Sequence, residues 1–158
     1  ISYNEEVYLS EKATGDKNRA LANIMKARGM LEGDVEEILD DYFKQCSIEV
    51  DAVDLANIGS FLAQGCKGLE SYGNVTREKL TSILLGIMTT CGMYNFSSEY
   101  IVEVGIPSKS GVGGGIMGAV PSKLGIGVYS PALDENGNSK AGYGMMKDLA
   151  KELNLKLF

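Results

Sequence analysis

The spacing of apolar residues changes once along this chain, near Pro107, and that change limits the folds open to it. Before it, apolar side chains recur at the three-and-four spacing of a helix face. After it, glycine is frequent and short apolar runs take over. The first pattern is clearest over residues 34–46, where Val35, Ile38, Leu39, Tyr42, Phe43 and Cys46 form one stripe behind Asp34 as cap. Leu80, Ile83, Leu84, Ile87, Met88 and Cys91 repeat it between a Thr76 cap and a Gly92 stop. A helix over residues 16–29 is predicted with Thr14 or Asp16 as cap and Leu21, Met25 and Arg28 on one face. Another opens at Asp51, with Asp54 as a weak capping box, and buries Leu55, Ile58 and Leu62 before Gly65 closes it. Gly68 to Asn74 is a loop, and a short helix runs from Ser97-Ser98 to Gly105.

Beyond Pro107, residues 115–120 and 124–130 predict two strands around the turn Pro121-Ser122-Lys123. Asp134 to Asn138 is a second turn. A final amphipathic helix covers residues 141–153, with Met145, Met146, Leu149 and Leu153 inward. The order is five helices, two antiparallel strands and one helix. Residues 1–105 are mainly helical, and 106–158 form a hairpin and the last helix. Two strands make a poor sheet alone, so further strands are expected from elsewhere.

The chain has 158 residues, 44% hydrophobic and 23% charged, enough for one core of ordinary size. Its formal charge of −6 leaves no basic stripe for phosphates, which argues against nucleic acid as a partner. No apolar run is long enough to span a bilayer. The polar, acidic start ISYNEEVYLSEK predicts no signal peptide. Cys46, Cys66 and Cys91 form no CxxC pair, and buried, reduced thiols in a cytoplasmic protein are expected. Histidine is absent, so a zinc site of the usual kind and a Ser-His-Asp triad are both unexpected. No metal or cofactor is expected, and any nucleophilic chemistry needs Lys or Tyr as its base.

Three constellations could carry such chemistry. The first is Lys109-Ser110-Gly111, running into Val112-Gly113-Gly114-Gly115. Taken by itself the triplet is a polar loop entering a strand. In context it precedes an apolar strand, a hairpin and an amphipathic helix, and so resembles the third motif of serine β-lactamases and penicillin-binding proteins. In that architecture the lysine supplies charge, the hydroxyl a donor, and the next backbone amide half of an oxyanion hole. The second is Glu11, ahead of the helix at residue 16, with Asn18 in its first turn. A carboxylate and an amide there could hold the charged ends of an amino acid, although spacing alone favours a capping region with solvated charges. The third is a pair of tyrosines. Tyr42 lies on an apolar stripe, which predicts a core aromatic. Tyr94 follows a helix stop in Cys91-Gly92-Met93-Tyr94, which predicts a loop, and a tyrosine hydroxyl close to a lysine can carry a proton.

At this point longer stretches resemble the C-terminal half of the serine-dependent glutaminases, relatives of the serine β-lactamases. They are Ser10-Glu11 with residues 14–22, residues 41–48 and Thr90 to Tyr94. The run from Gly105 through Gly115 follows, then Gly125 to Val128 leading to Ser130-Pro131 and Gly137-Asn138-Ser139. The resemblance implies an α+β fold of the serine β-lactamase and penicillin-binding kind, a helical cluster packed against an antiparallel sheet. It implies hydrolysis of L-glutamine to L-glutamate and ammonia through an acyl-serine. It implies that Glu11, Asn18 and Tyr42 grip the substrate's α-amino and α-carboxylate groups, that Tyr94 passes protons, and that the Val112 N–H helps form the oxyanion hole. Lys109, Ser110 and Gly111 take a supporting role. The family nucleophile stands in Ser-x-x-Lys, and no serine here has lysine three residues on. That motif is therefore expected upstream of Ile1, and the 158-residue chain alone is expected to be inactive. The partners implied are L-glutamine, the N-terminal half and further copies in a dimer or tetramer. A penicillin-recognising hydrolase and a non-catalytic glutamine-binding or assembly module are the alternatives.

Overall fold

The computed structural model describes residues 2–71 and 73–157. The chain divides into two compact units, Ile1–Val50 and Asp51–Phe158. The first holds α1 (Glu5–Thr14), α2 (Asp16–Ala27) and α3 (Val35–Cys46). The second holds α4 (Ala52–Ala63), α5 (Arg77–Cys91), a 3₁₀ turn (Tyr94–Phe96) and α6 (Ser97–Glu103). It continues through β1 (Ser108–Ser110), β2 (Gly115–Val120), β3 (Leu124–Tyr129) and α7 (Lys140–Glu152).

In the first unit, the Asn4 side chain accepts from the N–H groups of Glu6 and Val7 at 3.0 and 3.1 Å and so caps α1, with Glu5 and Glu6 in the first turn. Only Gly15 separates α1 from α2. A Cβ there would fall 2.3 Å from Phe43 Cζ, so the joint exists because glycine lets α3 approach it. Tyr8, Ala22, Val35, Leu39 and Phe43 form the core. The backbone at Ser2 and Asn4 bonds to Glu49 and Ser47, at 2.9 and 2.8 Å, and closes the unit on itself.

Helix α1 lies where the sequence predicts no element, and Glu11 is inside it rather than ahead of a helix. Val7 and Leu9 are exposed and Tyr8 is its buried residue, so the helix has no apolar stripe to announce it. Thr14 does not cap α2, because its hydroxyl donates to Ser10 O. Leu21 and Met25 are exposed, and Ala22 is the buried residue of α2. Tyr42, expected in the core, is 45% exposed, because α3 turns its neighbour Phe43 inward.

The second unit has the α+β class expected, with helices on a small antiparallel sheet of order β1-β2-β3. The hairpin falls where predicted, pairing Gly115 with Tyr129 through Val120 with Leu124. A third strand, β1, is added beside it, and it carries Lys109 and Ser110. Three residues are too short for an alternating pattern to be visible. On one face of the sheet, Ile116, Val120, Ile126 and Val128 join Val104, Ile106, Met146 and Ala150 in a core shared with α6 and α7. On the other face α4 lies directly on the strand backbones. A Cβ on Gly125 would sit 2.0 Å from Ser60 N, on Gly127 2.0 Å from Ala52 O, and on Gly59 2.4 Å from Gly118 O. Gly59 therefore takes the contact expected of Ile58, which is exposed. On α5, Ile83 and Ile87 are likewise exposed and Met88 is buried. Cys66 is buried as expected, whereas Cys46 and Cys91 are exposed at the polar edges of their helices.

Gly127→Ala is expected to destabilise by at least about 1–3 kcal/mol, since no rotamer relieves a clash with backbone. Gly86 lies on α5 with nothing within 4 Å of its Cβ position, so Gly86→Ala is expected to stabilise by about 0.5–1 kcal/mol. Urea unfolding of the two variants beside the parent measures both.

Candidate active site

Strand β1 alternates, with Ser108 and Ser110 buried and Lys109 exposed between them. Its hydrogen bonds tie it to two neighbours. Ser110 donates its N–H to Gly92 O at 2.9 Å, and Pro107 O accepts from Ala119 N–H at 2.9 Å. The first bond brings the end of α5 against the motif. Gly92 is required there, because a Cβ would lie 1.9 Å from Ser108 O.

That junction delivers Tyr94 to Lys109 and Ser110. The Tyr94 hydroxyl donates to Ser110 O at 3.2 Å. The Lys109 ammonium stands 4.8 Å from the Tyr94 ring centroid and donates to the same carbonyl. A cation over an aromatic face is attracted to it. Tyr94 is 38% exposed, so ring and hydroxyl remain reachable. Its backbone has φ 54°, a conformation rare for a bulky residue and concentrated at functional sites.

Past Ser110 the chain turns sharply. Gly111 donates its N–H to Gly115 O and Gly114 donates to Gly111 O, both at 2.9 Å, and neither bond uses the Val112 N–H. Gly114 has φ 100° and lies against Ser130 and Pro131, where a side chain would clash. Val112 is 64% exposed at the tip of the turn. Gly137 closes the group, since its Cβ position is 3.6 Å from Val112 Cγ1 and 3.7 Å from Tyr94 Cε2. The structure thus gathers Tyr94, Lys109, Ser110, Gly111 and Val112 around one end of β1.

Two buried hydroxyls of β1 behave differently. Tyr100 donates to Ser108 Oγ at 2.9 Å, and burial pushes the Tyr100 phenol well above its ordinary value, so it stays neutral. Ser110 is 1% exposed, and its Oγ has no hydrogen-bond partner among the described residues. An orphaned donor of this kind suits a group that a ligand or a further chain engages.

Glu11, Asn18 and Tyr42 belong to the first unit, on α1, α2 and α3. Glu11 and Asn18 flank Gly15, and Tyr42 adjoins the Phe43 ring on which Gly15 rests. Glu11 and Asn18 are half-buried. The same unit carries a charge network. Lys12 and Lys44 both pair with Asp40, the second at 2.6 Å, and the Tyr8 hydroxyl donates to Asp40 as well. The bonds from Lys12, then Lys44, then Tyr8 hold the Asp40 carboxyl well below its ordinary value of 3.8. Sequence spacing did not point to this cluster, because its members come from two helices.

Ser97 and Asn138 were also missed as site residues. The Ser97 hydroxyl accepts from Met93 N–H at 3.0 Å and donates to Tyr94 O at 2.7 Å. Asn138 Nδ2 donates to Met93 O at 3.2 Å. From sequence they are a helix start and a turn residue. The signal available was the place of Asn138 in Gly137-Asn138-Ser139 and that of Ser97 three residues after Tyr94.

Fold and site define an α+β protein with a Lys-Ser-Gly strand set against a strained tyrosine. Comparison with known proteins makes this specific: the family model described as Glutaminase matches residues 1–158, and the chain belongs to that family. It is 55% identical over 158 residues to a glutaminase of Alkaliphilus oremlandii, covering 100% of this chain and 52% of that protein. It is 54% identical to glutaminase 2 of Clostridium perfringens, with coverage of 100% and 52%. A Bacillus subtilis glutaminase, solved as a covalent complex with 5-oxo-L-norleucine, matches with a TM-score of 0.87 and 42% identity, over 99% of this chain and 56% of that one. The chain spans about half the length of the curated relatives it matches.

Because the folded Asp40 carboxyl titrates below its ordinary value, its contribution to stability is present above that value and is lost as pH falls through the lower one. Asp40→Asn is therefore expected to reduce the loss of stability between about pH 6 and about pH 2. Denaturant unfolding at the two pH values, for parent and variant, reads the difference.

Proposed function

We propose that the chain is the C-terminal part of one glutaminase domain. The whole protein would hydrolyse L-glutamine to L-glutamate and ammonia through an acyl-serine intermediate. The nucleophile and its lysine, in Ser-x-x-Lys, come from the half that this chain does not contain. The observation that carries the reading is the Tyr94 hydroxyl on Ser110 O with the Lys109 ammonium against its ring. The orphaned Ser110 hydroxyl and the Val112 amide stand beside it. The similar Bacillus subtilis protein was captured covalently with 5-oxo-L-norleucine, formed from 6-diazo-5-oxo-L-norleucine, as expected where a nucleophile attacks a glutamine-like side chain.

The chemistry assigns one task to each group. The serine oxygen bonds to the side-chain amide carbon of glutamine, and the carbonyl oxygen takes up negative charge. The Val112 N–H faces that oxygen; one such donor is worth about 10²–10³ in rate. Tyr94 relays the proton that the attacking serine gives up to the nitrogen, as the C–N bond breaks and ammonia leaves. Water then attacks the ester, glutamate departs, and the serine recovers its proton. Lys109 supplies positive charge beside the tyrosine, and Gly111 lets the backbone turn toward the substrate. Glu11 binds the α-ammonium, Asn18 and Tyr42 the α-carboxylate, by charge and hydrogen bonding.

The reduced thiols support a cytoplasmic protein. No described helix is long and apolar enough to cross a membrane. The exposed Ile83 and Ile87 of α5 support an assembly in which further protein covers this chain, the N-terminal half and a second subunit of a dimer or tetramer.

In the whole protein, Tyr94→Phe is expected to lower kcat for ammonia release by about 10²-fold or more. Glu11→Gln is expected to raise KM for glutamine by about tenfold with a smaller change in kcat. Near-normal turnover by Tyr94→Phe would sink the assigned role, and hydrolysis of nitrocefin in place of glutamine would move the protein to the penicillin-recognising class.

A further inference from the structure

We propose that Asn138 and Ser97 are positioning residues that hold Tyr94 in its left-handed backbone and so aim its hydroxyl at the reacting amide. The proposal rests on the reading of Tyr94 as the proton carrier.

Four hydrogen bonds clamp the two residues 93 and 94. Ser97 Oγ accepts from the Met93 N–H at 3.0 Å and donates to Tyr94 O at 2.7 Å, so one hydroxyl fixes both ends of the segment. Met93 O accepts from Phe96 N–H at 3.1 Å and from Asn138 Nδ2 at 3.2 Å. The carbonyl of the 93–94 peptide is thus held twice, and the peptides on either side are held at the Met93 N–H and the Tyr94 O, so a rotation that relaxed the φ of 54° at Tyr94 would break these bonds.

Asn138 is a costly way to make that bond, and this points to its use. The residue is 1% exposed, and its Oδ1 has no partner among the described residues. A buried amide with one group unpaired is unfavourable where shape alone is needed, and an apolar side chain would avoid the cost. The turn does not require the side chain, since Asp134 closes it: Asp134 Oδ1 accepts from the N–H of Asn136 and of Asn138, and Asp134 N–H donates to Asn138 O. What the side chain adds is the link to Met93, 45 residues away. The loop it belongs to is also the wall behind the site, for a Cβ at Gly137, which has φ 92°, would come into ordinary contact with both the Tyr94 ring and Val112. One loop thereby sets the separation between proton carrier and oxyanion donor, on which an acyl-transfer rate depends steeply.

The test is a double-mutant cycle in the whole glutaminase. Asn138→Ala is expected to lower kcat by about 10–100-fold with KM within about twofold, because it misplaces a group used in the reaction and not in binding. In the Tyr94→Phe background the same substitution is expected to cost less than about threefold, since the hydroxyl it aims is already gone. A full, additive loss in that background would show a general structural role and overturn the proposal, as would a normal kcat for Asn138→Ala. Ser97→Ala is judged by the same cycle, and it decides the matter if Asn138→Ala does not fold. An impaired Tyr94→Phe beside a normal Asn138→Ala removes this proposal alone. A normal Tyr94→Phe removes the reading of Tyr94 and this proposal with it.

Discussion

The contact between α4 and the β2–β3 hairpin is backbone against backbone, and the rest of the second unit is arranged from it. Gly125 and Gly127 on the sheet meet the backbone of Ala52, Ala56, Gly59 and Ser60 on the helix directly, and the Leu55 side chain lies against Gly115 and Gly127. Such an approach holds the hairpin flat against a rigid rod over the whole length of β3. Ile116, Val120, Ile126 and Val128 of the hairpin point the other way, into the core with Ile106 and Met146, while Met117 packs beside Leu62 and Met88 on the α4 side. Strand β1 pairs with the free edge of β2, where Ser108, Lys109 and Ser110 meet Gly118, Met117 and Ile116.

The site inherits its geometry from that strand. Gly92 lies against Ser108 with no room for a Cβ, which places the end of α5 at the motif and leaves the chain one residue, Met93, before Tyr94. Reaching Lys109 and Ser110 from there demands a left-handed tyrosine. The conformation is sustained by bonds to Ser97 and Asn138, which come from α6 and from the turn before α7. Backbone strain at one residue is thus held from two separate elements, the condition under which strain persists at a working site.

The first unit solves a different problem with fewer apolar residues. Among the described residues its buried core is five side chains, and its surface is organised by Asp40 between Lys12 and Lys44. Ion pairs this exposed contribute little each, but a shared carboxylate orients two lysines and a tyrosine at once. The unit carries Glu11, Asn18 and Tyr42 on three helices joined at Gly15 and Phe43.

Periodicity alone located α3, α5, the β2–β3 hairpin and α7, because the pattern is written in consecutive residues, but it overstated what they bury: Tyr42, Ile83, Ile87, Met145 and Leu153, all expected inward, are exposed. The motifs named Tyr94, Lys109, Ser110 and Val112, and the family resemblance named Glu11, Asn18 and Tyr42. Tertiary structure decided what those patterns could not hold. It made α1 a helix through the Asn4 cap and one buried tyrosine. It turned Phe43 inward rather than Tyr42. It gave the α4 contact to Gly59 instead of Ile58, since proximity of two backbones leaves no hydrophobic signal. It also drew Asn138 to Met93 across 45 residues, by a bond whose two ends share no local spacing at all. Sequence periodicity records which face of an element is buried, while the partner on the other side of that face exists only once the chain has folded.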